Sequence, residues 1–167
     1  MGEALALLGQ VHEGIAHRRE GGAAYESSGL SCDLPGRLGF LAEAQARVGR
    51  PEVGLTTLAE ALALVEETGE RHWEAELHRV RAELQLMQGK DTEAEVSLQK
   101  AIQVARRQQA KSWELRATTS LARLWQEQGR MDEARQTLAE IYGWFTEGFD
   151  TPDLQEASAL LEELSRD

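Results

Sequence analysis

The sequence has one cysteine, and no apolar run in it approaches the ~20 residues that a helix needs to cross a bilayer. Its first residues lack a basic segment followed by a long apolar one, which predicts that no secretory signal is present. Cys32 has no second cysteine to pair with, so a disulfide within these 167 residues is excluded. Proteins of reducing compartments usually lack disulfides. We therefore expect a cytoplasmic protein with no membrane partner.

Positive charge is also scarce, since 18 lysines and arginines stand against 29 aspartates and glutamates, for a net charge of −11. Duplex DNA carries one phosphate charge per ~1.7 Å, so a protein of this charge needs a cluster of basic residues to bind it. The densest candidates, Arg18-Arg19 and Arg106-Arg107, are isolated pairs, which we interpret as solvated helix faces. The charge predicts no nucleic-acid partner.

Patterns that carry catalysis or bind metal are missing as well. His12 and His17 are five residues apart, which rotates them by roughly 140° on a helix, whereas a zinc-protease helix needs histidines four apart. Cys32 has no cysteine or histidine at ligand spacing. Gly89-Lys90 lacks the upstream glycine and the Ser or Thr of a phosphate-binding loop. We expect no enzyme activity, no metal site and no cofactor.

What the sequence does contain is a repeat with a period of 40 residues, marked by Gly9, Gly49, Gly89 and Gly129. A fixed period of roughly 20 to 50 residues is typical of stacked repeat arrays. Each unit in such an array buries its apolar side on the next unit, which produces an extended surface rather than a closed pocket. The period therefore indicates a protein that holds a partner.

Each unit is predicted to be a pair of antiparallel helices. In the second helix, predicted from Pro51 to Glu67, the proline takes a first-turn position, where its missing N–H costs nothing. Residues at steps of three and four form one apolar face: Leu55, Leu58, Leu62 and Val65. Gly69 is predicted to end this helix in the left-handed conformation.

First helices are predicted from Leu38 to Val48, Trp73 to Met87 and Trp113 to Gln128, each ending at a phased glycine. Alanine recurs inside them at one position, where a small side chain lets two helices approach closely. These alanines are Ala42, Ala82 and Ala122. The tryptophans could form an aromatic ligand site, but we interpret Trp73 and Trp113 as packing residues that wedge neighbouring hairpins together.

We predict a single domain over residues 1–167, made of units at about 1–29 (partial), 30–69, 70–109 and 110–149 and a cap at 151–165. Thr151-Pro152-Asp153 is predicted to open the capping helix, which runs from Asp153 to Leu164. The stretch from Gly21 to Gly36 is rich in Gly and Ser, and we expect it to be mobile or rearranged. Because the repeat alignment begins within a first helix, we expect the chain to be a piece of a longer protein.

The pattern of small and large residues resembles the tetratricopeptide repeat. The first small position of that family is matched by Ala42, Ala82 and Ala122, the second by Gly54, Ala94 and Ala134, and the third by Ala61 and Ala101. The large apolar position is matched by Leu58, Leu98 and Leu138. The fit departs in length, since the period of 40 residues exceeds the usual 34. Arg81 also stands where a leucine is typical. The resemblance implies an all-α solenoid of helix hairpins that binds protein.

A narrower resemblance covers roughly residues 38–165 and rests on segments 62–71, 118–125 and 142–154. The last of these reads Tyr-Gly-Trp-Phe-Thr-Glu-Gly-Phe-Asp-Thr-Pro-Asp-Leu, a string that repeat packing alone does not demand. Together they resemble the C-terminal repeat region of bacterial multidomain proteins with a predicted ATPase module, often behind a class III adenylate or guanylate cyclase domain. None of the catalytic motifs of those proteins occurs here.

The first helices line the concave side of tetratricopeptide arrays, which implies a partner-binding groove in this chain. The charged residues mapped onto that side are Glu43, Arg47, Glu76, Arg79, Glu83, Arg116 and Arg123. Arginine forks there would grip the carboxylates of a partner bidentately. The alternative is that these residues are ordinary exposed charges paired along their own helices.

The leading functional hypothesis is a non-catalytic scaffold for a protein or peptide partner, including other domains of its own parent protein. One alternative is a repeat domain that senses a small molecule held between hairpins. Another is a self-associating module, in which the uncovered half-helix at residues 1–8 is buried by a second copy in a homodimer.

Overall fold

The structure, a computed structural model, describes residues 34–166, and every regular element in that range is an α-helix. The helices are α1 (Leu34–Arg47), α2 (Pro51–Thr68), α3 (Glu74–Leu86), α4 (Asp91–Gln108), α5 (Lys111–Glu127), α6 (Met131–Tyr142) and α7 (Pro152–Glu163). Helices α1 and α2, α3 and α4, and α5 and α6 pack as consecutive hairpins. The predicted all-α hairpin array is confirmed.

The connections within the hairpins turn at the phased glycines. Gly49, Gly89 and Gly129 have φ angles of +79°, +68° and +77°, in the left-handed region that glycine adopts at least cost. No atom lies within 4 Å of the position that a Cβ would take at any of the three, so backbone conformation rather than crowding favours glycine there. Between hairpins, Gly69 ends α2 with φ of +73°, as predicted, whereas Gln109 takes the same conformation after α4.

Small residues close the contact between the two helices of a hairpin. Ala42, Ala82 and Ala122 are at most 1% exposed. A Cβ on Gly54 of α2 would lie 2.9 Å from the carbonyl oxygen of Ala42, which is closer than real Cβ contacts come. The first hairpin therefore packs backbone against backbone at Gly54, and the predicted small-residue positions are confirmed as buried contacts.

The first helices form an inner layer. Helix α1 lies against α3, α3 against α5, and α5 against α7, whereas the backbones of the second helices α2, α4 and α6 do not approach one another closely within residues 34–166. Helices that touch on one side and separate on the other belong to an array that curves toward the touching side. The side formed by α1, α3, α5 and α7 is therefore concave.

Helix α7 occupies the place of a further first helix and lies against α5 and α6. Its apolar side is buried on the last hairpin through Leu154, Ala157 and Leu160. Thr151 precedes the helix in an extended conformation, but its hydroxyl donates to the carbonyl oxygen of Gly148 at 2.7 Å. The residue stands where an N-cap is predicted, although it makes no side-chain capping bond.

Two predictions about the beginning of α1 are wrong. The helix starts at Leu34 rather than Leu38, and residues 34–36 form its first turn instead of continuing the rearranged stretch predicted up to Gly36. The physical reason is that Leu34 is 6% exposed and packs in the core beside Leu38 and Leu41, which offsets the poor helix propensity of Gly36. Helices α3, α5 and α7 differ from their predicted bounds by one or two residues at each end.

Several predictions concern residues outside the described range. They are the turn at Gly9, the interpretation of His12, His17 and Arg18-Arg19, the role of Cys32, and the uncovered half-helix at 1–8 with its homodimer. Within residues 34–166, no helix combines the length and the hydrophobicity that a membrane span requires.

Candidate partner-binding groove

Two adjoining depressions lie on the concave side and share Arg79, Glu83 and Arg116. The first, of about 370 Å³, lies between α1 and α3 and is also lined by Glu43, Ala46, Arg47, Leu84 and Met87. The second, of about 130 Å³, extends toward α7 and is also lined by Thr119, Ser120, Asp153 and Glu156. Because of the shared residues, we treat the two as one surface, called the inner groove below.

Arg79 of α3 forms the floor of the inner groove, and its side chain is only 7% exposed. Its Nε and Nη2 donate to the two carboxylate oxygens of Glu76 at 2.9 and 2.8 Å, one turn away on the same helix. Its Nη1 donates to Glu83, and Nη2 also reaches Glu43 of α1 at 3.4 Å. One buried guanidinium therefore binds three carboxylates and ties α3 to α1.

The pKa values of this cluster follow from its charges. Burial alone would lower the pKa of Arg79, but hydrogen bonding to Glu76 and the negative charges of Glu76, Glu83 and Glu43 raise it. Partial burial raises the pKa of Glu83, and the nearby carboxylates of Glu43 and Glu76 raise it further, against the opposing effect of Arg79. The three carboxylates thus exceed what one arginine neutralises.

Arg116 of α5 links three first helices. Its Nη2 lies 2.9 Å from Oε1 of Glu76 on α3, and its Nε lies 4.0 Å from Oδ1 of Asp153 on α7. Its guanidinium carbon also lies 5.3 Å from the centre of the Trp113 ring, within range of a cation–π interaction. Arg116 therefore helps to set the spacing of α3, α5 and α7.

The two remaining arginines lie at the ends of the groove. Arg47 is 80% exposed, and its Nη2 lies 3.7 Å from Glu43 on the same helix. Arg123 of α5 pairs with Glu156 of α7 at 3.0 Å, and both side chains are about half exposed. Exposed pairs of this kind contribute little to stability, about 0 to 1 kcal/mol.

The structure thus joins five of the seven predicted residues, Glu43, Glu76, Arg79, Glu83 and Arg116, in one network. Arg47 and Arg123 flank it. The bonds of Arg79 to carboxylates of its own chain leave no free fork for the carboxylates of a partner. The alternative, ion pairs along one helix, applies to Arg47 and Glu43. The ion pairs of Arg79 with Glu43 and of Arg116 with Glu76 instead join different helices. A binding role for these residues stays a prediction.

Sequence reasoning missed seven residues that line the groove, among them Met87, Asp153 and Glu156. The period would have indicated two of them, since Met87 lies 40 residues after Arg47 and Glu156 lies 40 residues after Arg116. The predicted groove includes only charged residues of the first helices. Extending the same count to apolar residues and to α7 adds Met87 and Glu156 to the predicted surface.

The tryptophans mostly pack between hairpins, as predicted. The rings of Trp73 and Trp113 lie 5.4 Å apart, and Phe40 meets Trp73 edge-on at the same distance. Trp113 packs on a buried cluster of Ala75 from α3 with Val104 and Ala105 from α4. The wedge role of Trp73 and Trp113 is confirmed.

Trp125 and Trp144 have contrasting surroundings. Trp125 is 8% exposed and donates its indole N–H to Glu95 at 2.9 Å. Trp144 is 58% exposed and contacts Phe145 edge-on, with the amine of Lys111 5.8 Å from its ring centre. Trp144 therefore contributes less to packing than the other three.

A third depression, of about 610 Å³, lies on the opposite side, between the first two hairpins. It is lined by Leu62, Glu66, Arg71, Glu74, His78, Lys100, Val104, Arg107 and Gln108. Arg71 bridges Glu66 at 2.6 Å and Glu74 at 3.0 Å, so hydrogen bonds within the chain use much of its polar lining. Burial lowers the pKa of His78 to about 4, against the attraction of Glu74. We call this depression the outer cleft.

No group of three or more His, Cys, Asp or Glu side chains within residues 34–166 is arranged to hold a metal ion. The charges of the groove instead pair with one another.

The comparisons with known proteins agree with this geometry. Residues 38–107, which span α1 to α4, match the family described as tetratricopeptide repeat. In fold, residues 34–166 are therefore a tetratricopeptide-like array of helix hairpins. Tetratricopeptide repeat domains are in general scaffolds for protein–protein interaction.

Solved tetratricopeptide-like structures extend the match along the chain. A protein of Podosopora anserina, described as a kinesin light chain with nearly identical TPR-like repeats, is 17% identical, with a TM-score of 0.62 over 98% of this chain and 87% of its own. BtubC (BKLC) from P. vanneervenii is 18% identical, with a TM-score of 0.62 over 98% of this chain and 80% of its own. At these identities the likeness shows the fold alone. No curated protein gives a significant match.

Proposed function

We propose that this chain is a non-catalytic tetratricopeptide-like scaffold that holds a protein partner in the inner groove. The observation that carries the proposal is the concave surface to which α1, α3, α5 and α7 all contribute charged side chains. Its floor is fixed by the bonds of Arg79 and Arg116, so it is formed before a partner arrives. A preformed surface loses little conformational entropy on binding.

The proposal extends to the parent protein and its architecture. We propose one domain over residues 1–167 that belongs to the C-terminal end of a bacterial cytoplasmic ATPase or nucleotide cyclase regulator. Support comes from segment 142–154, which includes the connection from α6 to α7 and keeps two aromatic residues, Trp144 and Phe149, exposed. The partner would then be either another domain of the parent or a separate protein.

A pull-down against the parent's upstream domains tests this proposal. The wild-type chain is compared with Met87→Lys, which places a positive charge on an exposed groove residue, and with Val96→Lys, a matched change at an exposed valine on α4. We expect the wild type and Val96→Lys to retain the partner and Met87→Lys to lose it. Equal retention by all three would exclude the inner groove as the binding surface.

The small-molecule alternative is favoured by one observation, the outer cleft. Its volume of about 610 Å³ falls in the range of ligand pockets, and it lies between hairpins, where a ligand would alter their spacing. A thermal-shift screen of metabolites tests this role, since a ligand that binds only the folded state raises the melting temperature. A metabolite supports this role only if His78→Ala, a substitution within the cleft, abolishes the rise in melting temperature.

A further inference from the structure

The N–H donors in the floor of the inner groove are already used within the protein. Nε, Nη1 and Nη2 of Arg79 all bind carboxylates, two of them on Glu76 and Glu83 of its own helix. Arg116 lies between Glu76 and Asp153 and against the Trp113 ring. An acidic partner would have to displace the hydrogen bonds of Arg79, whereas Arg116, whose side chain is 34% exposed, is held only by ion pairs and the ring contact.

Carboxylate acceptors, by contrast, remain open between α1 and α3. Glu83 accepts from Arg79 through Oε1, while its Oε2 has no hydrogen-bond partner within residues 34–166. Its side chain is 43% exposed at the groove surface. Glu43 is held only loosely, with Oε1 at 3.4 Å from Arg79 and Oε2 at 3.7 Å from Arg47.

The inner groove with its floor holds five carboxylates against four arginines, and the repeat explains why two of the acids adjoin at one end. Glu43, Glu83 and Arg123 occupy the same position in three successive first helices, each 40 residues from the next. The third is an arginine, and it is paired with Glu156 of α7. Two neighbouring acids therefore remain at the α1–α3 end, and Arg47, largely exposed at the rim, leaves them room for another cation.

Three apolar residues line the depression beside these acids. Ala46 and Leu84 are buried, and Met87 is 57% exposed at the edge of the 370 Å³ depression. Long basic side chains carry aliphatic stems that lie well on such surfaces while the charged end reaches a polar group. Methionine adapts its shape to stems of different length.

We propose that this depression takes a lysine or arginine side chain from a net-basic segment of the protein partner. The stem lies along Leu84 and Met87, and the charged end binds between Glu43 and Glu83. This inference rests on the proposed function, and it adds the charge of the partner, opposite to the acidic partner predicted from the sequence. The net charge of −11 also favours encounter with a basic segment.

A positional peptide array tests the inference on the purified chain. Short peptides carry Lys, Arg, Asp, Glu or Ala at one fixed position and mixtures elsewhere, and the best binder is then titrated by fluorescence anisotropy. We expect selection of Lys or Arg. Glu83→Gln should weaken that peptide about tenfold, equivalent to about 1.4 kcal/mol, because it removes one carboxylate from the pair. Met87→Ala should weaken it severalfold without changing the charge.

Glu140→Gln is the matched control, because Glu140 is an exposed glutamate on α6, a second helix, and the change removes the same charge. It should bind as the wild type does, and circular dichroism checks that every variant is folded. Selection of acidic peptides that Met87→Ala weakens would overturn this inference but leave the proposed function standing. Absence of any peptide whose binding depends on the groove variants would overturn both.

Discussion

The guanidinium of Arg79 and the carboxylate of Glu76 form two parallel hydrogen bonds in the floor of the inner groove, at 2.9 and 2.8 Å. Both side chains are at most 10% exposed. A planar fork bound to both oxygens fixes the direction of each side chain as well as the distance between them. The pair therefore determines how Glu43 and Glu83 are presented around it.

Removing the arginine tests how far the fold depends on this cluster. Arg79→Met should lower the free energy of unfolding by about 3 kcal/mol, because it leaves the carboxylates of Glu76, Glu83 and Glu43 close together without their shared cation. Urea unfolding measures the change. Arg123→Met, which breaks the exposed pair with Glu156, is the control and should cost less than about 1 kcal/mol.

The double variant Arg79→Met/Glu76→Gln should be more stable than Arg79→Met alone, because one of the uncompensated charges is gone. Equal costs for Arg79→Met and Arg123→Met would show that the buried cluster does not stabilise the fold.

Gly89 and Gln109 both have left-handed backbone conformations, and substitutions at the two positions should have opposite effects on stability. Gly89→Ala should destabilise the protein by about 1 kcal/mol, since alanine pays a backbone cost at φ of +68°. Gln109→Gly should stabilise it by roughly 0.5 to 1 kcal/mol, because Gln109 already holds φ of +55° where α2 uses Gly69. Chemical denaturation of both variants checks the pair. A loss of stability in Gln109→Gly would contradict this reading of the α4 end.

His78 should make stability depend on pH. Its pKa falls from 6.5 to about 4 on folding, chiefly because of burial, with Arg81 and Lys100 lowering it and Glu74 opposing. Between these pH values the unfolded chain binds a proton that the folded chain does not, so stability is lost as pH falls through this window. The loss should be roughly 3 kcal/mol larger for the wild type than for His78→Gln. Identical pH profiles of unfolding free energy would refute the shift.

The aromatic contact between neighbouring hairpins is the next prediction. Trp113→Ala should cost about 3 kcal/mol, because it opens a cavity against Ala75, Val104 and Ala105 and removes the contact with Trp73. Trp144→Ala removes the same side chain from an exposed site and should cost less than about 1 kcal/mol. Equal costs for the two variants would contradict the wedge role of Trp113.

The hairpins could be predicted from sequence because their signals are local. Gly89 adopts a left-handed turn. Ala82 and Ala122 are buried where two helices pack closely, which requires a small side chain. The start of α1 was missed because burial of Leu34 in the core outweighs the local propensity of Pro35 and Gly36.

The groove could be predicted only in part, because its contacts depend on how far each hairpin is offset from the next. The period placed Glu76, Arg79 and Arg116 on one side, but it does not state which arginine meets which carboxylate. Arg79 reaches Glu43 across 36 residues, a pairing that no spacing within one helix indicates. For that reason the sequence did not indicate that the guanidinium of Arg79 is already bound within the chain.

The central claim is that the concave side of this repeat array holds the partner. A ¹⁵N NMR titration with the selected lysine- or arginine-containing peptide tests it most directly. The account predicts that backbone shifts cluster on α1, α3 and α5 around Glu43, Glu83 and Arg116. Shifts confined to the outer cleft, at Lys100 and Arg107 on α4, would contradict it.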